Sequence, residues 1–281
     1  MIKQNLYTQR EMMMSRFLRY SVLFLVTLVM AGCNTMQTTR SDSTIARIQE
    51  RGSLILGTSG NMPTMSQADD QGRVSGFDID IARLMADSMG VKLDTRVMPF
   101  NELLPALQAG EVDVVISNMT MTLKRNLRVA FVGPYMTSGK CFVTKDEALA
   151  KAQESQNLNA PETRLAVLKG STSEDFAREL FSQATIITVG DYIEAAKMVK
   201  NDQAGGLLTD YPICLAVLKA NPDAGFRSLF SLLTYEPIGI ALPANDAQFI
   251  NWTENFLKRL QGTETLEGLG RRWFGKVQLS R

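Results

Sequence analysis

Residues 112–135 read VDVVISNMTMTLKRNLRVAFVGPY, and the order of residue types in this stretch decides the fold. It opens as an apolar run bounded by a charged turn, the pattern of a buried parallel strand covered on both faces. Where the apolar residues stop, small polar ones begin: Ser117, Asn118, Thr120 and Thr122, with Lys124 and Arg125 directly after. In open α/β sheets, ligands sit outside the carboxyl ends of strands, where the sheet order switches. Hydroxyls, an amide and one guanidinium at such a point suit a small carboxylate, because arginine offers a planar fork of donors that grips both oxygens. A basic pair taken alone is a solvated loop feature. The rest of the chain has to decide.

The apolar share is 45% and the charged share 21% over 281 residues, ordinary for a folded chain with one large core or two medium ones. The net charge is +1, but Lys3, Arg10, Arg16 and Arg19 stand against only Glu11 in the first 33 residues, and the remainder carries 26 basic and 28 acidic residues. No basic face with interleaved aromatics stands out, which argues against a nucleic-acid partner. The chain contains 0 histidines. That removes the commonest general base and the commonest metal ligand together, so no catalytic residue, metal or cofactor is expected.

The first 20 residues are largely polar and basic, and residues 21–31 (SVLFLVTLVMA) form an apolar run too short to span a bilayer, as in a secretory leader. Met30-Ala31-Gly32-Cys33 resembles the lipobox of bacterial lipoproteins, with methionine where leucine is commonest. That resemblance implies a signal peptide over 1–33, an acylated Cys33 and a membrane anchor; Asn34 favours outer-membrane sorting. An ordinary cleaved leader with an incidental cysteine is the alternative. Residues 34–43 are polar, a flexible tether. Cys141 and Cys214 are expected to be two buried free thiols, since nothing in the sequence places their Cα atoms within disulfide reach.

From residue 44 the chain alternates. Residues 53–58 (SLILGT) form a strand, and 76–86 (GFDIDIARLMA) a helix start with Phe77, Ile81, Leu84 and Met85 on one face. Asp78 and Asp80 fall in its first turn and read as capping charges. A strand over 91–99 and a helix over 102–109, capped by Asn101, lead to the opening stretch. Strand, helix, strand, helix, strand gives a parallel sheet with right-handed crossovers. Further on, a strand over 164–168 ends in Gly170-Ser171-Thr172-Ser173 at a helix start, which is either an anion site or a plain N-cap at Ser173. A strand over 205–209 ends at Asp210, before a helix with Pro212 in its first turn. A carboxylate there suits an ammonium group, or else caps the helix. The stretch 235–242 (YEPIGIAL) is a return strand, with helices over 247–261 and 265–273 after it.

The run GFDIDIARLMA, in this order of elements, resembles the signature of the family 3 bacterial extracellular solute-binding proteins, the polar-amino-acid receptors of ABC importers; the similarity covers residues 45–276. The resemblance implies a type II periplasmic-binding-protein fold: two α/β lobes, each a mostly parallel sheet flanked by helices, joined by a two-strand hinge. Lobe I would span 44–137 and return over 236–281, with lobe II over 138–235. It further implies a periplasmic, lipid-anchored monomer that closes over a small zwitterion, an amino acid or derivative, and delivers it to a membrane permease. Carried over residue by residue, Arg125 matches the arginine that holds the ligand carboxylate. Ser117, Asn118 and Thr120 match the polar residues that bond the carboxylate or amine, and Ser171 and Thr172 the donors of lobe II. Asp210 matches the ammonium partner and Phe100 the aromatic packed on the ligand. The lid position, usually aromatic, carries Met62. A thioether lacks the π face that cations prefer, which points away from an arginine or lysine ligand.

Two other functions share this resemblance. Periplasmic cyclohexadienyl dehydratases look like these receptors, with a catalytic glutamate that falls at Glu174. A ligand-sensing module acting through a partner is the other.

Overall fold

The computed structural model describes residues 43–147, 158–229 and 234–275. The expected leader with Cys33, residues 34–42 of the tether and residues 148–157 lie outside them.

Helix α1 (Thr44–Arg51) precedes β1 (Ser53–Thr58), an apolar strand buried from Leu54 onward. A small antiparallel sheet follows, made of β2 (Asn61–Met62), β3 (Ser66–Ala68) and β4 (Val74–Ser75). Gly76, at φ 147°, turns the chain from it into α2 (Phe77–Ser88). A Cβ on Gly76 would stand 2.0 Å from the Met65 carbonyl oxygen, so only glycine lets the sheet and the helix approach this closely. The helix buries Phe77, Ile81 and Met85 against the core, as the spacing predicts.

The strand expected over 91–99 is β5 (Lys92–Val97). The helix expected over 102–109 divides into a 3-10 turn (Phe100–Glu102) and α3 (Leu103–Gln108), so Asn101 lies inside the turn and caps nothing. The opening stretch holds only a two-residue strand, β6 (Val114–Val115), although residues 112–120 are all buried. Asn118, at φ 47°, leaves the extended region, and no strand can run through it. Helix α4 (Leu123–Asn126) and the long β7 (Ala130–Ser138) complete the stretch.

Strand β8 (Lys140–Thr144) carries the chain into a second sheet with β9 (Arg164–Leu168), β10 (Thr185–Val189), β11 (Gly206–Asp210) and β12 (Arg227–Leu229). The order is β10-β9-β11-β8-β12. Helices α5 (Thr172–Leu180), α6 (Tyr192–Lys200) and α7 (Tyr211–Ala220) flank it. Strand β13 (Glu236–Leu242) then returns to the first sheet, in the order β5-β1-β6-β13-β7, and α8 (Ala247–Gly262) and α9 (Thr265–Phe274) pack there. Both five-stranded sheets are mixed: β1 pairs in parallel with β5 and β6, and β9 with β10 and β11, whereas β13 and β8 run antiparallel to both their neighbours. The cause is the double passage between the lobes, since β7 runs out of the first lobe and β13 runs back alongside it. The two passages touch where Ser138 pairs with Glu236 and the Lys140 N–H donates to Thr234 Oγ1 at 3.1 Å.

Cys141 and Cys214 are not free thiols. They form a disulfide from β8 to α7, with Cα atoms 6.2 Å apart. A sequence separation of 73 hid this, because only the packing of α7 on the sheet brings the two together.

Candidate functional site

The carboxyl ends of β6 and β11 face one another across the gap between the lobes, and most of the sequence-derived residues meet there. From lobe I, Asn118 Nδ2 donates to Asp210 Oδ2 of lobe II at 3.1 Å. Thr120 Oγ1 lies 3.4 Å from Thr172 Oγ1, again across the gap. Arg125 donates through Nη1 to the Thr120 carbonyl at 2.9 Å and through Nη2 to the Gly170 carbonyl of lobe II at 3.1 Å. Its guanidinium sits over the Phe100 ring, 5.6 Å from the centroid, a cation–π arrangement. Burial lowers the pKa of Arg125, and the charges of Asp210, Asp175 and Glu236 oppose that shift. Thr122 caps α4 by accepting the Arg125 N–H, which fixes where the arginine leaves the backbone.

Three expected residues spend their side chains elsewhere. Ser117 Oγ accepts the Ser59 N–H at 3.0 Å and donates to Ser59 Oγ at 3.1 Å, tying the ends of β1 and β6 together. Ser171, not Ser173, caps α5: its hydroxyl accepts the Glu174 N–H and donates to the Leu168 carbonyl. Met62 is buried in the apolar core. Asp210 holds the N-cap position of α7 without making a side-chain cap bond, so the capping alternative fails and its carboxylate points to other work.

That work introduces two residues sequence reasoning missed. Lys140, whose side chain is 0% exposed, donates to Asp210 Oδ1 at 2.7 Å and to Thr172 Oγ1 at 2.7 Å, and lies 3.1 Å from Glu236 Oε1. Glu236 also accepts from Thr172 Oγ1 at 3.1 Å and from Thr234 Oγ1 at 2.9 Å. Burial would raise the Glu236 pKa, but the adjacent Lys140 and these hydrogen bonds outweigh it and hold the carboxyl below its ordinary value. A signal existed for both. Each is a charged residue opening an otherwise apolar strand, KCFVT and EPIGIAL, right where the chain changes lobe. Buried charges are rare unless paired, so these two openings could have been matched.

Asp78 is not a plain capping charge either. Its Oδ2 accepts the Asn118 N–H at 2.7 Å and its Oδ1 the Tyr135 hydroxyl at 2.7 Å, a clamp that holds Asn118 in its left-handed conformation. Burial lifts the Asp78 pKa to about 7 against those two bonds. Asp80 turns outward to Arg83, Arg272 and Trp273, fastening α2 to α9. The Asn118 Oδ1 atom is buried beside Asp210 with no hydrogen-bond partner. Glu174 is held by the Gly170 N–H and by Arg178. Among the described residues no group of histidine, cysteine and acidic side chains is placed to hold a metal ion, and no helix is long and apolar enough to cross a membrane.

Two mixed α/β lobes, a double-stranded passage between them and a charged cleft at the strand ends define a two-lobed receptor of the type II periplasmic-binding-protein architecture. The model of the bacterial extracellular solute-binding proteins, family 3, matches residues 54–276, and the chain belongs to that family. It is 28% identical over 237 residues to the ABC transporter glutamine-binding protein GlnH of Bacillus subtilis (strain 168), covering 82% of this chain and 84% of that one. The cyclohexadienyl dehydratase of Pseudomonas aeruginosa is 27% identical over 197 residues, 70% of this chain and 73% of the relative. Among solved structures, the ancestral amino acid-binding protein AncCDT-1, a precursor of cyclohexadienyl dehydratase, superposes with a TM-score of 0.76 at 34% identity, covering 83% of this chain and 99% of that one. The chain is accordingly a solute-binding protein, of a family that works outside the cytoplasm.

Proposed function

We propose that this protein captures a small zwitterion, an amino acid or a close derivative, in the cleft between Arg125 and Asp210, and passes it to an ABC importer. The observation that carries this is the charge pattern at the two ends of the cleft. At one end the Arg125 guanidinium has two backbone carbonyls and, among the described residues, no carboxylate within ion-pair distance. At the other end Asp210 and Glu236 share one lysine, which leaves one negative charge unmatched. A ligand carboxylate answers the first and a ligand ammonium the second, with the unpartnered Asn118 Oδ1 as a further acceptor for the amine. Arg125 and Asp210 belong to different lobes, so a ligand that bridges them has differential affinity for the closed form, as a hinge switch requires. Phe100 would pack on the ligand, Thr120 and Thr172 would supply hydroxyls, and Ser117, Ser171 and Met62 would support the site from behind.

The relative named for glutamine binding by an ABC transporter favours an amino-acid cargo and a permease partner. Leu123 on the short helix that carries Arg125 and Leu127 directly after it, 88% and 87% exposed, offer apolar contacts for that permease. The domain boundaries given above, a leader ending at Cys33, a lipid on that cysteine and a periplasmic monomer tethered through residues 34–43 complete the proposal.

The dehydratase relative raises the enzymatic alternative. A dehydratase needs a protonated acid for the departing hydroxide. Glu236 is held below its ordinary pKa and so stocks no proton near neutrality, and the Glu174 carboxylate is taken up by Arg178 and the Gly170 N–H. A thermal-shift screen against amino acids, opines, polyamines and small carboxylates tests the receptor, because binding to the folded state alone raises the melting temperature. An amino acid that stabilises the chain is the expected result. Conversion of prephenate to phenylpyruvate by the same preparation would overturn it.

A further inference from the structure

Lys140 enters the receptor reading only as a counter-charge shared by Asp210 and Glu236. It is the first residue of a fully buried strand, opposite Asp210 in the β8–β11 register. Its ammonium has three donors, and three acceptors take them: Thr172 Oγ1, Asp210 Oδ1 and Glu236 Oε1. An ammonium so engaged has nothing left to grip a ligand carboxylate. What it supplies is charge. A fully buried cation with two carboxylates against it neutralises one of them and leaves the other.

The charges at the cleft are therefore Arg125 and Lys140 against Asp210 and Glu236. Two ion pairs beside them balance internally. Glu174 pairs with Arg178 at 2.9 Å, and Lys124 of lobe I lies 3.9 Å from Asp175 of lobe II. Asp78 stands behind Asn118 with both oxygens used inside lobe I. Take Lys140 away, and the amine end would hold two unopposed carboxylates with a single arginine opposite. That arrangement fits a ligand bearing two positive groups and one negative. With Lys140 in place only one positive group is called for.

Resting on the amino-acid reading above, we infer that Lys140 sets the net charge of the cargo: it stands in for the second cation of a basic amino acid and restricts the receptor to ligands with one ammonium, one carboxylate and an uncharged side chain. A lysine or arginine ligand would place its side-chain cation against a carboxylate already taken. A glutamate or aspartate ligand would bring a second carboxylate when Arg125 is engaged by the first and Lys140 is held by Asp210 and Glu236. Uncompensated charge in a site this buried is costly, so the discrimination is strong.

Calorimetric titration of the full chain with L-glutamine, L-methionine, L-lysine, L-arginine and L-glutamate tests this. The wild type should bind a neutral member at least about tenfold more tightly than the charged ones. Lys140→Gln should reverse that order in favour of lysine or arginine. Lys140→Met combined with Glu236→Gln removes one charge of each sign and should restore the neutral preference, which also covers the case in which the single variant fails to fold. A wild type that prefers a charged amino acid, or a folded Lys140→Gln that keeps the neutral preference, overturns the inference while leaving the receptor intact. Binding of none of the five by the wild type overturns the inference together with the amino-acid reading it rests on.

Discussion

Arg125 reaches across the gap between the lobes and donates to the carbonyl of Gly170 at 3.1 Å, while its other terminal nitrogen stays with Thr120 of its own lobe. One side chain thus reports on closure and offers the positive end of the cleft. Arg125→Ala should weaken ligand binding by about 2–5 kcal/mol, with an unchanged far-ultraviolet spectrum. An affinity within about threefold of the wild type by calorimetry in the folded variant would refute the assignment.

Gly170 takes φ 75°, and a Cβ on it would lie 2.7 Å from the Asn101 Cβ of the opposite lobe. Gly170→Ala should therefore hold the lobes apart while each folds normally, apart from about 1 kcal/mol for the left-handed alanine. Ligand affinity should drop severalfold, and small-angle scattering with ligand present should give a larger radius of gyration than the wild type gives. Equal radii and equal affinity would count against this contact as the limit of closure.

The disulfide between Cys141 and Cys214 closes a loop with a sequence separation of 73. Chain entropy alone puts its contribution at about 4 kcal/mol, so the double Cys→Ala variant should melt about 10 °C lower. Reductant should lower the wild-type melting temperature and leave the variant where it is. Identical melting of both proteins without reductant would mean that the bond does not form in the folded chain.

Asp78 gives the stability a pH signature. Its pKa rises from 3.8 to about 7 on folding. Between those values the unfolded chain releases a proton that the folded chain keeps, so this contribution is full below about pH 4 and fades as pH rises to about 7. Asp78→Asn cannot titrate, and its unfolding free energy should fall less across that window than the wild type's does. Parallel curves for the two proteins from pH 4 to 8 would sink the assignment.

Much of this site could be read before any coordinates. Residue types marked Asn118, Thr120, Arg125, Thr172 and Asp210 at strand ends and helix starts, where ligands sit in α/β sheets, and the family resemblance implied that they line one cleft. What escaped were the partners. Ser171 looks like a ligand donor in a string of small polar residues, and only the helix geometry shows its hydroxyl spent on the Glu174 N–H and the Leu168 carbonyl. Asp78 looks like a capping charge until Asn118 folds back on it. Lys140 and Glu236 lie 96 positions apart and meet only because both open strands at the crossing between lobes. Pairings at long range, like that of Cys141 with Cys214, are properties of packing, which local pattern does not encode.

The adjacency of Lys140 and Thr234, joined at 3.1 Å, has a consequence for descent as well as for closure. A module whose entry and exit lie side by side can be lifted out and another grafted into the same doorway, with neither core torn. Lys140 and Asp210 would travel with such a module while Arg125, Asn118 and Glu236 stayed behind, so an exchange would set a new lysine and aspartate against a resident arginine and glutamate.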